Sequence, residues 1–243
     1  MLRLPVIETE HPSTIEEAVA YLKKPKTKIV AGGTDVLPNL KHRLYDVDTL
    51  VSLDNVAGLR AIEDNEKNIV IGAGFTLTEI SESALVLKYF PSLAKAAGLV
   101  ASPLLRNMGT LGGNINLDTR CRYVNQSHFW RTAISGCLKS GGDVCHVVPG
   151  GKSCVAAMSS DCVPVLLSLG ARAELHGSEG KRTVELKDFY KTDGIAHTDK
   201  APDELMTKII LPKPVANTKM GYAKWTVRKS IDFPLVSLSL IHI

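Results

Sequence analysis

Four cysteines, Cys121, Cys137, Cys145 and Cys154, stand within 34 residues of one another in the pattern C-x15-C-x7-C-x8-C. Four thiolates suit zinc or an iron–sulfur cluster. The spacing is neither a zinc knuckle nor a ferredoxin run, so both centres stay open. His128 and His146 lie in the same stretch and can also ligate metal, but four sulfurs make them unnecessary; His128 is expected to pack or to hydrogen-bond. The fifth cysteine, Cys162, heads an apolar run and is expected in the core. Just upstream, Arg106-Asn107-Met108-Gly109-Thr110-Leu111-Gly112-Gly113-Asn114 is a glycine-rich loop carrying a hydroxyl and an amide. Glycine lets backbone N–H groups turn inward and approach an anion closely. A second such loop, Gly32-Gly33-Thr34-Asp35, follows the apolar run Ile29-Val30-Ala31. Neither loop matches the dinucleotide fingerprint G-x-G-x-x-G or the nucleotide loop G-x-x-x-x-G-K-[ST]. Each alone reads as a tight turn; together they favour a ligand with a pyrophosphate.

The elements that position these groups follow from patterning. Ser13 or Thr14, with Glu16 or Glu17 three residues on, starts a helix whose apolar face is Ile15, Ala18, Val19 and Leu22. Lys23-Lys24-Pro25 ends it. Residues 28–31, 49–53 and 68–72 read as strands rich in branched apolar residues, and 63–67 as a polar turn. A short helix is expected over 37–44, a second capped by Thr76, and a third over 91–100. Beyond the cysteines, a helix is expected over 163–169 with Asp161 as its cap. A hairpin follows over 171–186, a strand over 205–211, a linker at 212–217 and two further strands to 241. Strands and helices alternate irregularly, which is an α+β pattern.

The chain has 243 residues, a net charge of +4 and five cysteines. No basic cluster is interleaved with aromatic residues, so nucleic acid is not an expected partner. No apolar run is long enough for a membrane span. The N-terminus lacks the apolar stretch of a signal peptide, and the odd cysteine count disfavours a disulfide framework; a cytoplasmic protein is expected.

Val30-Ala31-Gly32-Gly33-Thr34-Asp35 and Arg106 to Ile115 resemble the two FAD-binding loops of the molybdenum hydroxylase flavin subunits. That family includes the medium subunit of carbon monoxide dehydrogenase and the flavin domain of xanthine dehydrogenase. Asp161-Cys162-Val163-Pro164 resembles the family's Asp-x-x-Pro segment, and Tyr222-Ala223-Lys224-Trp225 the start of its C-terminal domain. The resemblance implies a two-subdomain FAD-binding fold of the PCMH (vanillyl-alcohol oxidase-like) type over 1–215, with subdomains at about 1–55 and 56–215. Residues 216–243 would begin a C-terminal α+β domain. It also implies that Ile29, Val30, Ala31, Gly32, Gly33, Thr34, Asp35, Val36, Ala101, Thr110, Leu111, Gly112, Gly113, Asn114, Asp161 and Lys224 bind FAD. Read from the residues alone, Asp161 is equally a helix cap and Lys224 equally a solvated side chain.

In typical members only a few residues separate the second loop from that Asp. Here Asn114 and Asp161 stand 47 positions apart (161 − 114). The excess is an insertion at about 118–156, and a loop that long needs its own source of order. It resembles the insert in flavin subunits of 4-hydroxybenzoyl-CoA reductases. On that resemblance Cys121, Cys137, Cys145 and Cys154 ligate a [4Fe–4S] cluster, and ferredoxin is the electron donor. The partners would be a small subunit with two [2Fe–2S] clusters and a molybdenum-containing large subunit holding the substrate, assembled as a dimer of heterotrimers. Two alternatives stand beside it: another FAD subunit with structural zinc in the insert, and a zinc-stabilised binding module whose glycine loops are only turns. No acid, base or nucleophile is expected on this chain.

Overall fold

The computed structural model describes residues 2–242. Its ten strands are β1 (Glu8–Glu10), β2 (Thr27–Val30), β3 (Thr49–Ser52), β4 (Ile62–Asp64), β5 (Asn68–Gly72), β6 (Arg172–Gly177), β7 (Gly180–Glu185), β8 (Leu205–Pro212), β9 (Lys219–Trp225) and β10 (Val236–His242). They form three sheets. A parallel sheet has the order β1-β3-β2, an antiparallel sheet the order β4-β5-β8-β6-β7, and β9 pairs with β10 as a hairpin.

The helix expected near Ile15 runs Ile15–Leu22. Thr14 Oγ1 accepts from Glu17 N at 3.1 Å, and the Glu17 carboxylate accepts from Ser13 N at 2.8 Å. A full capping box, Thr76 with Glu79, starts Leu77–Glu82. Two such reciprocal bonds satisfy N–H groups that a helix start otherwise leaves open. Pro91–Gly98 and Cys162–Ser168 pack together and against the β9–β10 hairpin. The largest core cluster joins these helices to the five-stranded sheet through Ile71, Phe90, Leu93, Leu166, Leu175 and Ile209. Among the described residues no helix is long and apolar enough to cross a membrane.

Three local expectations are corrected and one strand is added. Glu8–Glu10, for which the sequence set no expectation, is a strand although all three residues are polar, because its pairing with Thr49–Val51 runs through the backbone. Glu63 and Asp64 belong to β4, leaving a shorter turn before Asn68. The helix expected over 37–44 runs Val36–Lys41 and ends where Arg43 takes φ 56°. The second glycine loop is partly helical: Leu111–Ile115 forms a short helix, with Thr110 Oγ1 accepting from Gly113 N at 3.0 Å.

Leu166 is fully buried at the centre of the main cluster. Leu166→Ala is expected to cost about 2–5 kcal/mol, read as a lower denaturant midpoint in chemical unfolding.

Candidate functional site

The parallel sheet delivers the first glycine loop directly from β2, and the Leu77–Glu82 helix backs the second. Leu77 N donates to Gly109 O at 2.8 Å, Leu111 N to Phe75 O at 2.8 Å and Gly112 N to Ala73 O at 2.8 Å. The two loops meet backbone to backbone. A Cβ on Gly32 would overlap the Met108 carbonyl, and one on Gly112 would lie 2.7 Å from Ala73 Cβ. Only glycine permits either approach.

Between the loops lies a cleft of about 870 Å³, within the range of pockets that enclose a large organic ligand. Ile29, Val30, Ala31, Gly32, Gly33, Thr34, Asp35, Val36, Ala101, Thr110, Gly112, Gly113, Asn114 and Asp161 all line it. Two residues named from the sequence do not. Leu111 is fully buried in the core. Lys224 stands behind Asp161, its ammonium 3.0 Å from Asp161 Oδ2 and also donating to the carbonyls of Leu99 and Asp232.

Several side chains have other duties than their types suggested. Asp161 does not cap its helix; its second oxygen accepts from Tyr222 Oη at 3.0 Å. Ser160 Oγ takes the capping role toward Val163 N. Burial raises the Asp161 carboxyl above its ordinary range despite the bonds from Lys224 and Tyr222. Lys224 is buried, not solvated, with 7% of its side chain exposed. Asn114 lines the cleft, and its Oδ1 accepts from Ser160 Oγ at 2.6 Å and Cys162 N at 3.3 Å. That amide ties the second loop to the Cys162 helix. Cys162 is wholly buried and its thiol is pushed up by burial.

Sequence reasoning missed part of the lining. Asn116 Oδ1, Arg120 Nε and His197 Nε2 are buried without a hydrogen-bond partner, and all three residues line the cleft. Arg120 also ion-pairs with Asp35 of the first loop and lies over the Phe233 ring, 5.0 Å from its centroid. No motif marked these residues; only Arg120, beside Cys121, adjoined one.

The segment 117–160 leaves the cleft through a neck closed by one antiparallel bridge, where Arg120 N donates to Ala157 O at 2.7 Å and Ala157 N to Arg120 O at 2.9 Å. The buried Arg131 guanidinium staples it to the first sheet's helix, donating to the carbonyls of His42 (2.7 Å), Arg43 (3.1 Å) and Gln126. Cys121, Cys137, Cys145 and Cys154 line one cavity of about 20 Å³, together with His146 and Lys139. Residues scattered over 34 positions thus converge. Cys137 and Cys154 are buried and the other two partly so, and burial raises the Cys154 thiol pKa. Among the described residues no three His, Cys, Asp or Glu side chains are already gathered closely enough to hold a metal ion. His128 is exposed at the start of the His128–Ala133 helix, neither packed inside nor lining the cavity.

Such a cleft, with two glycine loops in backbone contact, suits a large organic ligand. Residues 5–214 match the family described as the FAD binding domain in molybdopterin dehydrogenase, and the chain belongs to that family. It is 33% identical over 236 residues to the aldehyde oxidoreductase FAD-binding subunit of Escherichia coli, covering 93% of this chain and 74% of that one. It is 27% identical to the nicotinate dehydrogenase FAD-subunit of Eubacterium barkeri, covering 93% of this chain and 64% of that one. A solved carbon monoxide dehydrogenase from Hydrogenophaga pseudoflava superposes with a TM-score of 0.79 at 25% identity, over 98% of this chain and 70% of that one. The chain thus spans roughly two thirds to three quarters of the length of these relatives. The fold is a mixed α/β FAD-binding domain like that of the carbon monoxide dehydrogenase medium subunits.

Gly32→Ala is expected to force the loops apart at an overpacking cost of about 1–3 kcal/mol, equivalent to a loss of about 5- to 150-fold in FAD affinity. Titration of the flavin-free chain with FAD, with circular dichroism to confirm the fold, measures it.

Proposed function

We propose that this chain is the FAD-binding, electron-transferring subunit of a molybdenum hydroxylase complex, and that its four-cysteine segment is an insertion holding a second, metal-based centre. The family match and the glycine-loop cleft support the first part. The convergence of four cysteines on one cavity carries the second, because inert buried thiols have no reason to converge.

Bound FAD exchanges electrons, and that chemistry belongs to the cofactor. The chain's own residues bind and insulate. In this reading the first glycine loop turns its backbone N–H groups to the pyrophosphate and the second packs against it, its own N–H groups spent on Phe75, Ala73 and Thr110; the Asp161–Lys224 pair orders the wall beside Ala101, and Arg120 holds the first loop against the cysteine segment. Lys139 lies between the two sites: it lines the cysteine cavity, and its ammonium donates to Asp118 Oδ1 at 2.7 Å at the cleft's edge. We assign no acid, base or nucleophile to this chain, and place the substrate on a partner.

The partners in this reading are a large molybdenum-containing subunit and a small subunit with two [2Fe–2S] clusters, in a dimer of heterotrimers in the cytoplasm. Relatives named as FAD-subunits and medium chains support an assembly of several chains. The PCMH-type division, with subdomains at about 1–55 and 56–215 and a further domain from 216, is part of the same proposal. Its narrower form is a 4-hydroxybenzoyl-CoA reductase, with a [4Fe–4S] cluster on the four cysteines passing electrons from ferredoxin to FAD and onward to reductive dehydroxylation. The converging thiols support it.

A second reading rests on the cavity's volume. At about 20 Å³ it has room for roughly one water-sized body, which favours a single zinc ion. That reading makes the chain the FAD subunit of an aldehyde-, nicotinate- or carbon monoxide-type enzyme, as the named relatives suggest.

An anaerobic visible and EPR spectrum before and after dithionite, with iron and zinc analysis, separates the two. The cluster form predicts about four irons per chain and a broad absorption that bleaches, with flavin bands beside it. Cys145→Ser should abolish the cluster signal and spare the flavin. One zinc with flavin, and no iron, establishes the second reading instead. Absence of both metals from anaerobically purified protein contradicts the metal centre altogether.

A further inference from the structure

The cysteine segment reaches the first glycine loop through cations that stand beside the cysteines themselves. Arg120 adjoins Cys121; its guanidinium pairs with Asp35 while its backbone closes the bridge to Ala157. Lys139 stands two residues after Cys137 and lines the cysteine cavity. Its ammonium donates to Asp118 Oδ1 at 2.7 Å and to the Gly194 carbonyl at 2.6 Å. Gly194 N in turn donates to Cys154 O at 2.9 Å, and a Cβ on Gly194 would lie 2.8 Å from Cys154 Sγ. Lys139 is thus anchored against the wall that carries Cys154.

The two cations end on one polar circuit. Asp118 Oδ2 accepts from Tyr45 Oη at 2.9 Å, Tyr45 Oη accepts from Asn39 Nδ2 at 3.2 Å, and the same amide donates to Asp35 Oδ2 at 3.0 Å. Asn39 is buried, and only 12% of the Lys139 side chain is exposed. Asp35, Tyr45, Asp118 and Arg120 also line the cleft. The Val36–Lys41 helix, which leaves the first loop, is therefore held at three points: at its start by Arg120 through Asp35, along its length through Asn39, and at its end by Arg131 on the His42 carbonyl. All three holds lead back to segment 117–160. A segment that metal orders loses fixed geometry when its thiolates are free, and each hold then loosens. A ligand in the cleft must restore that order at its own cost. Two sites that order the same groups are linked, and the link is reciprocal.

We propose that the cysteine site and the cleft bind cooperatively. Metal on Cys121, Cys137, Cys145 and Cys154 raises the affinity of the cleft for FAD, and FAD raises the affinity of the cysteines for metal by the same factor. Arg120, Lys139 and Tyr45 are the positioning residues that carry the coupling. The proposal rests on the flavin and metal readings and adds to them the dependence of each site on the other.

The test is a linkage cycle on the whole chain, kept anaerobic, with zinc(II) as the probe metal and FAD as the probe ligand. FAD affinity is measured by calorimetry on the chelator-stripped and zinc-loaded forms, and zinc affinity against a competing chelator with and without FAD. Zinc should tighten FAD binding about 5- to 150-fold, the range of ordinary coupling, and FAD should tighten zinc binding by the same factor. Arg120→Met and Lys139→Met should each shrink that factor, and the double variant should all but abolish it. Tyr45→Phe, outside the cysteine segment, should shrink it as Lys139→Met does. A purely structural loss would weaken both affinities and leave their coupling intact; circular dichroism shows that each variant folds. Equal FAD affinity in the stripped and loaded wild type overturns the proposal and leaves both site readings standing. A coupling factor that none of the variants changes overturns it as well. A chain that binds FAD but no zinc sinks the metal reading and the proposal with it, and one that binds zinc but no FAD sinks the flavin reading and the proposal with it.

Discussion

Everything in the cleft depends on a contact that no side chain can occupy, the approach of Gly32 to the Met108–Gly109 peptide. It joins the parallel sheet, which delivers the first loop, to the helices that back the antiparallel sheet and deliver the second. Because the join is backbone against backbone, the separation of the loops is fixed by covalent geometry and not by adaptable side chains. Close-packed interiors transmit such constraints over several residues. Gly112 against Ala73 repeats the arrangement one step deeper, and Asn114 then hands the position of the second loop to the Cys162–Ser168 helix through Ser160 and Cys162. The buried Asp161–Lys224–Tyr222 group extends the chain of contacts into the β9–β10 hairpin.

The cysteine segment depends on the same join. Its neck starts six residues after Asn114, and Arg120 in that neck reaches back to Asp35 of the first loop. Arg131 adds a second anchor, to the carbonyls at the end of the Val36–Lys41 helix. Both anchors are guanidinium groups, which satisfy several acceptors from one rigid plane. The cysteine cavity and the cleft therefore share a wall at Lys139 and Asp118 rather than lying on separate lobes. A proposed electron path between them would cross that wall.

The features legible in the sequence were those with a local cause. Apolar periodicity and capping residues placed the Ile15 and Leu77 helices, and branched runs placed β3, β5 and β8. The glycine loops were visible because glycine is the one residue type whose absence of a side chain is itself a signal. What was not legible has a non-local cause. Glu8–Glu10 becomes a strand only because β3 offers a free edge. The cleft lining of Asn116, Arg120 and His197 joins positions 81 residues apart (197 − 116), and of these only Arg120 adjoins a motif. Asn114 shows the converse. Its type marked it as a ligand-facing amide, while the structural role of its oxygen as acceptor for Ser160 and Cys162 had no mark in the local sequence.

The central claim is that one chain holds a dinucleotide flavin between its two glycine loops and a metal centre on the cysteines across a shared wall. The most direct measurement is an experimental structure of the anaerobically purified chain with FAD. The account predicts pyrophosphate density between Gly32–Gly33 and Thr110–Gly113, and metal density ligated by Cys121, Cys137, Cys145 and Cys154. Flavin bound outside that cleft, or the four cysteines joined in disulfides around an empty cavity, would contradict it.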